Sequence, residues 1–187
     1  MLLFVQSVLM AVMLVYGVGC QQTYKEAVTG PTQVHGPLTS KSRIYVALPS
    51  DAMDKKATVP GSGTLTAKAM VTALTARTRG VFIGKAPEPL EDSLAAAHGF
   101  QCDYAIITTL VKWEDRPTEW TGVRDKLTLQ IDLYDVRTGQ KVDSRQIEGK
   151  SAWMNDGDDR PEHLLKGPID NYVGSLFRVL HSPTLLN

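Results

Sequence analysis

Residues 127–142 read LTLQIDLYDVRTGQKV, and this stretch decides the fold. Leu127, Leu129, Ile131 and Leu133 alternate with Thr128, Gln130, Asp132 and Tyr134. Successive side chains of a strand point to opposite faces, so the alternation predicts a strand with one buried and one wet face. Arg137-Thr138-Gly139-Gln140 follows as a turn, with Gly139 free to take a positive φ. The chain then re-enters a strand over residues 141–153 and closes a hairpin. Alternation fails late in that second strand, which predicts a bulge near Gly149.

Working outward, Asp103 to Val111 is apolar on both faces at its start, the mark of a central strand. Arg43 to Leu48 is a short β-rich run closed by Pro49-Ser50-Asp51, and Val81-Phe82-Ile83 is a second. Between them Ala67, Met70, Val71 and Leu74 recur at helical spacing, with Lys68, Thr72, Thr75 and Arg79 opposite. That predicts a helix over 64–79, capped by Ser62 or Thr64 and ended by Gly80. Glu88 to His98 opens with Pro and carboxylates and stops before Gly99, a second helix. Pro161 opens a third, running to about Val179. Leu164, Leu165, Ile169, Tyr172, Val173, Leu176 and Phe177 face inward there, and Gly167-Pro168 breaks or kinks it. The order β-α-β-α-β-β-β-α predicts one compact α/β (α+β) domain over 43–180, with a mixed sheet ending in an antiparallel meander. Residues 181–187 form a tail.

The 187 residues carry 20 Lys+Arg and 20 Asp+Glu, a formal net charge of zero. That balance removes the basic footprint of nucleic-acid binding. None of the charge lies in residues 1–19. Residues 2–16 are apolar apart from Gln6 and Ser7, and Gly17-Val18-Gly19 then precede Cys20. An apolar core ending in small residues is the secretory signal pattern. A Cys directly after the cut resembles the bacterial lipoprotein lipobox, in which the thiol is acylated before cleavage. Gly17 stands where that pattern has Leu, and the first residues lack Lys or Arg. The alternative is an uncleaved anchor, since about 18–20 apolar residues span a bilayer. The lipoprotein reading gives a signal peptide over 1–19 and a lipidated Cys20. A flexible tether, rich in Gly-Pro, Thr and Gln, follows to residue 42, with a reach on the order of 25 Å. Gln21 follows Cys20, not the Asp that resembles an inner-membrane retention signal. The resemblance therefore implies the outer membrane, periplasmic face. A balanced domain has nothing basic to draw it to anionic lipid, so attachment rests on the acyl chains. Cys102 is then the one remaining thiol, expected to be a buried small apolar residue.

The element order resembles the small α/β domain of the TolB N-terminal domain, the curli-secretion lipoprotein and the lipoprotein activators of penicillin-binding proteins. Closer still are Trp113-Glu114-Asp115-Arg116, Thr118-Glu119-Trp120 and Gly122. With Asp135-Val136, Thr138-Gly139, Gly149-Lys150-Ser151 and Trp153, they are similar to the pattern of an uncharacterised Gram-negative lipoprotein family, domain-of-unknown-function family 4823. The resemblance implies a localisation and a fold, and brings no activity or catalytic residues.

Trp113, Glu114, Asp115, Arg116, Glu119 and Trp120 form the densest constellation. Aromatic faces beside carboxylates and a guanidinium suit a sugar or a partner loop, and paired carboxylates suit glycoside hydrolysis. The structural alternative is a hairpin corner whose Trp rings cover the end of the sheet. Pro60-Gly61-Ser62-Gly63-Thr64 lacks the Gly-Lys-Ser/Thr of a phosphate loop and the third Gly of a dinucleotide fingerprint, and reads as a helix entry with room for a modest anion site. Asn155-Asp156-Gly157-Asp158-Asp159 has its Gly too early for a calcium loop. His35, His98, His163 and His181 are scattered without metal-ligand spacing. No cofactor or metal is expected.

The sequence thus points to a lipid-anchored binding or scaffolding domain, not an enzyme. It acts on an envelope protein partner at the outer membrane. A periplasmic enzyme on cell-wall glycan, with Glu114, Asp115 or Glu119 as acid/base, is the alternative. A small-ligand binder using residues 61–64 is a third.

Overall fold

The computed structural model describes residues 22–32, 38–115, 124–151 and 161–178. Cys20, Arg116, Glu119, Trp120, His35, His181, the Asp-rich turn near 155–160, the leader and the tail lie outside the described residues. In chain order the strands β1 (Thr23–Thr32), β2 (Arg43–Val46), β3 (Met53–Asp54) and β4 (Ala57–Thr58) precede helix α1 (Ser62–Thr75). Strand β5 (Gly80–Ile83), helix α2 (Leu90–Gly99) and the long strands β6 (Tyr104–Glu114), β7 (Lys126–Asp135) and β8 (Lys141–Lys150) follow. A 3-10 turn over Pro161–Leu164 leads into α3 (Lys166–Leu176).

Six strands form one sheet in the order β1-β8-β7-β6-β2-β5, and β3 pairs with β4 in a separate small hairpin. Strand β2 runs parallel to both β5 and β6, whereas β6, β7, β8 and β1 are antiparallel neighbours. The expected α/β class, mixed sheet and terminal meander are therefore the observed ones. The alternation in 127–134 does what the pleat requires. Leu127, Leu129, Ile131 and Leu133 are each at most 1% exposed. They meet Met70 and Leu74 of α1 and Ile169, Tyr172 and Val173 of α3 in the main core. Gly139 takes φ 67° in the β7–β8 turn, where the backbone N–H of Thr138 donates to the Asp135 carboxylate at 2.8 Å.

Several boundaries differ from the sequence expectation, each for a local reason. Residues 23–32, expected as part of a flexible tether, form the edge strand β1 along β8, from Thr23 opposite Lys150 to Thr32 opposite Asp143. Gly30-Pro31 suggested a tether. As an edge strand, however, β1 tolerates a Pro because one side of its ladder needs no donor. The chain also re-enters the core earlier than residue 43. Leu38 is buried and its N–H donates to the Leu176 carbonyl at 2.8 Å. No bulge lies at Gly149, which pairs in register with both Leu127 and Tyr24. The shift falls instead between Leu133 and Tyr134. Gly149 is needed for space: a Cβ there would lie 3.3 Å from Leu164 Cβ and from the Tyr24 ring.

Helix α1 starts two residues early and ends at Thr75; Gly80 opens β5 rather than closing the helix. In place of the kink expected at Gly167-Pro168, a 3-10 turn gives way to the α-helix two residues earlier, at Leu165, whose backbone stays helical. Pro168 then sits in the first turn of α3, where backbone N–H groups have no helical partner to lose. On the other face of the sheet, α2 covers a smaller cluster of Tyr45, Ala97, Cys102, Ala105 and Tyr134.

Candidate interaction surfaces

The strand registers decide which residues share an end of the sheet. The last rung reads Glu114–Lys126–Lys150–Thr23, from β6 across β7 and β8 to β1. The segment that joins β6 to β7, with its expected site residues, therefore leaves the sheet at the end where the chain arrives from Cys20. Trp113 is 2% exposed and packs in the main core opposite Leu127. Its ring is thus part of the core among the described residues. Glu114 is held by the Lys112 ammonium at 3.0 Å, and Asp115 is exposed.

The helix-entry loop is already filled by the protein's own anion. Asp51, just past β2, accepts the backbone N–H of Gly61 at 3.0 Å and of Gly63 at 2.9 Å. These bonds hold its carboxyl below the usual range, that to Gly63 most of all. Ser62 Oγ accepts the N–H of Ala52 and donates to the Val59 carbonyl, both at 2.8 Å. A Cβ on Gly63 would lie 2.2 Å from the Pro49 carbonyl oxygen. The expected anion site at residues 61–64 is thus a closed cap, which the sequence hid because Asp51 lies ten residues away.

A buried polar cluster ties β8 to α3 and β1. Asp143 is 2% exposed, and burial raises its carboxyl pKa against the lowering effect of the Arg145 guanidinium. Arg145 Nε donates to Asp143 at 3.2 Å and its Nη1 to Glu26 of β1 at 2.5 Å. The Tyr172 hydroxyl is buried beside Asp143, and burial followed by that charge pushes it well above its ordinary value. On the opposite face Asp132 accepts from Lys141 at 2.7 Å, Ser144 at 2.6 Å and Gln130 at 2.9 Å. These bonds lower its pKa despite burial. Gln130 also donates to Thr29 of β1 at 3.0 Å.

At the other edge the surface is apolar. Ile83 is 47% exposed and Phe100 45%. Phe100 stacks on Phe82 at 5.2 Å between centroids, and Arg43 lies 4.7 Å over the Phe82 ring. A separate shallow cleft of about 440 Å³ lies at the end of α1, lined by Ser40, Thr75, Arg77 and Arg79 among others. Arg77 is partly spent there, donating to the Ala73 carbonyl at 3.1 Å. Cys102 is buried and burial lifts its thiol to about 11, so it is a core residue as its surroundings require. His98 and His163 are both exposed and lie on separate elements. No group of three or more potential metal ligands occurs among the described residues, and no helix among them is long and apolar enough to cross a membrane.

These elements define a single mixed α/β domain whose open sheet has β1 and β5 at its two edges. The model of the domain of unknown function DUF4823 matches residues 37–176, and the chain belongs to that family. Its fold is shared, at 18% identity and a TM-score of 0.61, with the PelC dodecamer of Paraburkholderia phytofirmans, covering 84% of this chain and 98% of that one. It is also similar to a Xanthomonas campestris protein of family DUF330, at 13% identity and a TM-score of 0.53, covering 79% and 90%. No curated protein sequence matches the chain.

Proposed function

We propose that the chain is a bacterial envelope lipoprotein, anchored by acyl chains on Cys20 to the periplasmic face of the outer membrane. Its domain binds or scaffolds an envelope protein partner without catalysis of its own. The observation that carries this reading is the start of β1 at Thr23. Three peptide steps separate it from Cys20, a span of at most about 11 Å. An acylated Cys20 is then joined to the edge of the sheet with almost no slack, in place of the long tether that composition suggested. Two or more acyl chains hold such a domain stably, where one binds marginally.

Protein contacts are supported by the opposite edge. Ile83 sits exposed on β5 and Phe100 exposed beside it, where a strand edge and apolar side chains favour pairing with another chain. Contacts between copies belong to this reading: among the described residues no strand pairs with the outer side of β1 or β5, and the Paraburkholderia neighbour is a dodecamer. Crosslinking in intact cells tests it. Photoreactive side chains placed at Ile83 and Phe100 capture an envelope protein or a second copy, whereas the same groups at exposed Arg137 of the β7–β8 turn do not. Equal yields at all three positions remove the surface.

The glycan-hydrolase alternative has a direct test in the mature protein and purified peptidoglycan. Release of muropeptides that is lost on Glu114→Gln or Asp115→Asn replaces the binding reading with an enzyme.

A further inference from the structure

The overall charge balance conceals a local imbalance that the register creates. Lys126 and Lys150 are direct partners across β7 and β8, so both side chains leave the same face at the same rung. Like charges placed directly opposite destabilise an antiparallel pair. Neither ammonium has a carboxylate partner among the described residues. Glu114, which faces Lys126 from β6, is engaged by Lys112. Glu148 lies one step back along that face, opposite Lys25 of β1. Lys150 is exposed and Lys126 half-exposed, and the rung continues directly to Thr23.

We infer that this end of the sheet rests on the membrane, with Lys126 and Lys150 against the phosphates of anionic phospholipid headgroups. The inference rests on the acylated Cys20 proposed above. An anchor within about 11 Å of Thr23 leaves the Lys126–Lys150 rung within reach of the headgroup layer. Each lysine near an anionic surface gains on the order of a five-fold preference, which decays within a Debye length of about 8 Å. The lysine pair, unfavourable in water, finds its counter-charge there. The other end of the sheet lies on the order of 30 Å away along β6. It carries Lys41 and the Arg77–Arg79 cleft, and faces away from the lipid.

Residue-resolved lysine acetylation, read by peptide mass spectrometry, tests this on the mature protein. The protein is reconstituted in vesicles of phosphatidylglycerol and, in parallel, of phosphatidylcholine. Lys126 and Lys150 react about five-fold more slowly on the phosphatidylglycerol vesicles, while Lys41 reacts equally on both. Intact mass, read first, separates the anchor from the lysine surface. An N-terminus without acyl mass overturns the anchor and this surface with it. Acyl mass with equal Lys126 and Lys150 rates on the two vesicles, or a slowing shared by Lys41, overturns the surface alone.

Discussion

Strands β7 and β1 are both ten residues long and both run antiparallel to β8, one on each side of it. Both pair with β8, β7 along almost its whole length and β1 with a register shift between Val28 and Thr32, yet their burial is opposite. Six of the ten β7 residues are buried and none is exposed, whereas nine of the ten in β1 are exposed. β7 is held by the packing of Leu127, Leu129, Ile131 and Leu133 against α1 and α3. β1 is held by its ladder, by Tyr24 lying against Gly149 and Gly167, and by side-chain bonds from Glu26 and Thr29. The difference shows that hydrogen bonds place a strand but apolar burial decides how firmly it stays.

The comparison breaks most visibly at Ile131. Truncating this fully buried side chain to Ala removes about 3 kcal/mol and lowers Tm by on the order of 10 °C. The loss spreads over the whole sheet, because the core is one cooperative unit. Calorimetry of the soluble domain reads it, and a shift of only a degree or two would mean that β7 is no better packed than β1. Tyr24→Ala is the matching cut in β1. Half-buried, its ring contributes about 1.5 kcal/mol. The expected sign is local: amide exchange quickens over residues 23–32 while β7 keeps its protection. Equal quickening in both strands would make β1 part of the core unit.

How legible the two strands were in the sequence follows from the same contrast. The alternation over 127–134 was readable because one face is buried along its whole length, and α3 was readable for the same reason. β1 was not, because an edge strand with almost no burial leaves no hydrophobic period. Its Tyr24, Val28 and three Thr are a weak β signal, and Gly30-Pro31 outweighed it. The candidate site followed the same rule. Trp113 drew attention as a ligand face, but its place opposite Leu127 depends on register. The Lys126–Lys150 pair and the Asp51 cap of α1 are invisible to any local window, since each joins residues brought together only by folding.

Asp143 of β8 and Asp132 of β7 respond oppositely to pH. The Asp143 carboxyl is raised by burial, so the folded state takes up a proton before the unfolded state does. Stability from this group therefore rises as pH falls through the raised value, until the unfolded carboxyl also protonates near its ordinary 3.8. Asp132 behaves oppositely: its lowered carboxyl contributes stability above that ordinary value and loses it in stronger acid. Stability curves of wild type and Asp143→Asn should converge in the wild type's favour as pH is lowered from 7 towards 4. Curves that stay parallel over that interval would show Asp143 to be unperturbed.

The smallest effect belongs to Glu26→Gln. The Glu26–Arg145 pair joins β1 to β8 with side chains 37% and 22% exposed, so solvent screens it and its worth is at most about 1 kcal/mol. Arg145 keeps Asp143 as a partner, which confines the consequence to β1. Tm should move by no more than a few degrees, while exchange over residues 23–32 quickens at low salt and less so at high salt. On the anchored protein, loosening β1 lengthens the free chain behind Cys20. Lys126 and Lys150 should then lose part of their protection on phosphatidylglycerol vesicles, although neither was changed. Protection that is indifferent to Glu26 would show that the lysines find the lipid without β1 holding them there.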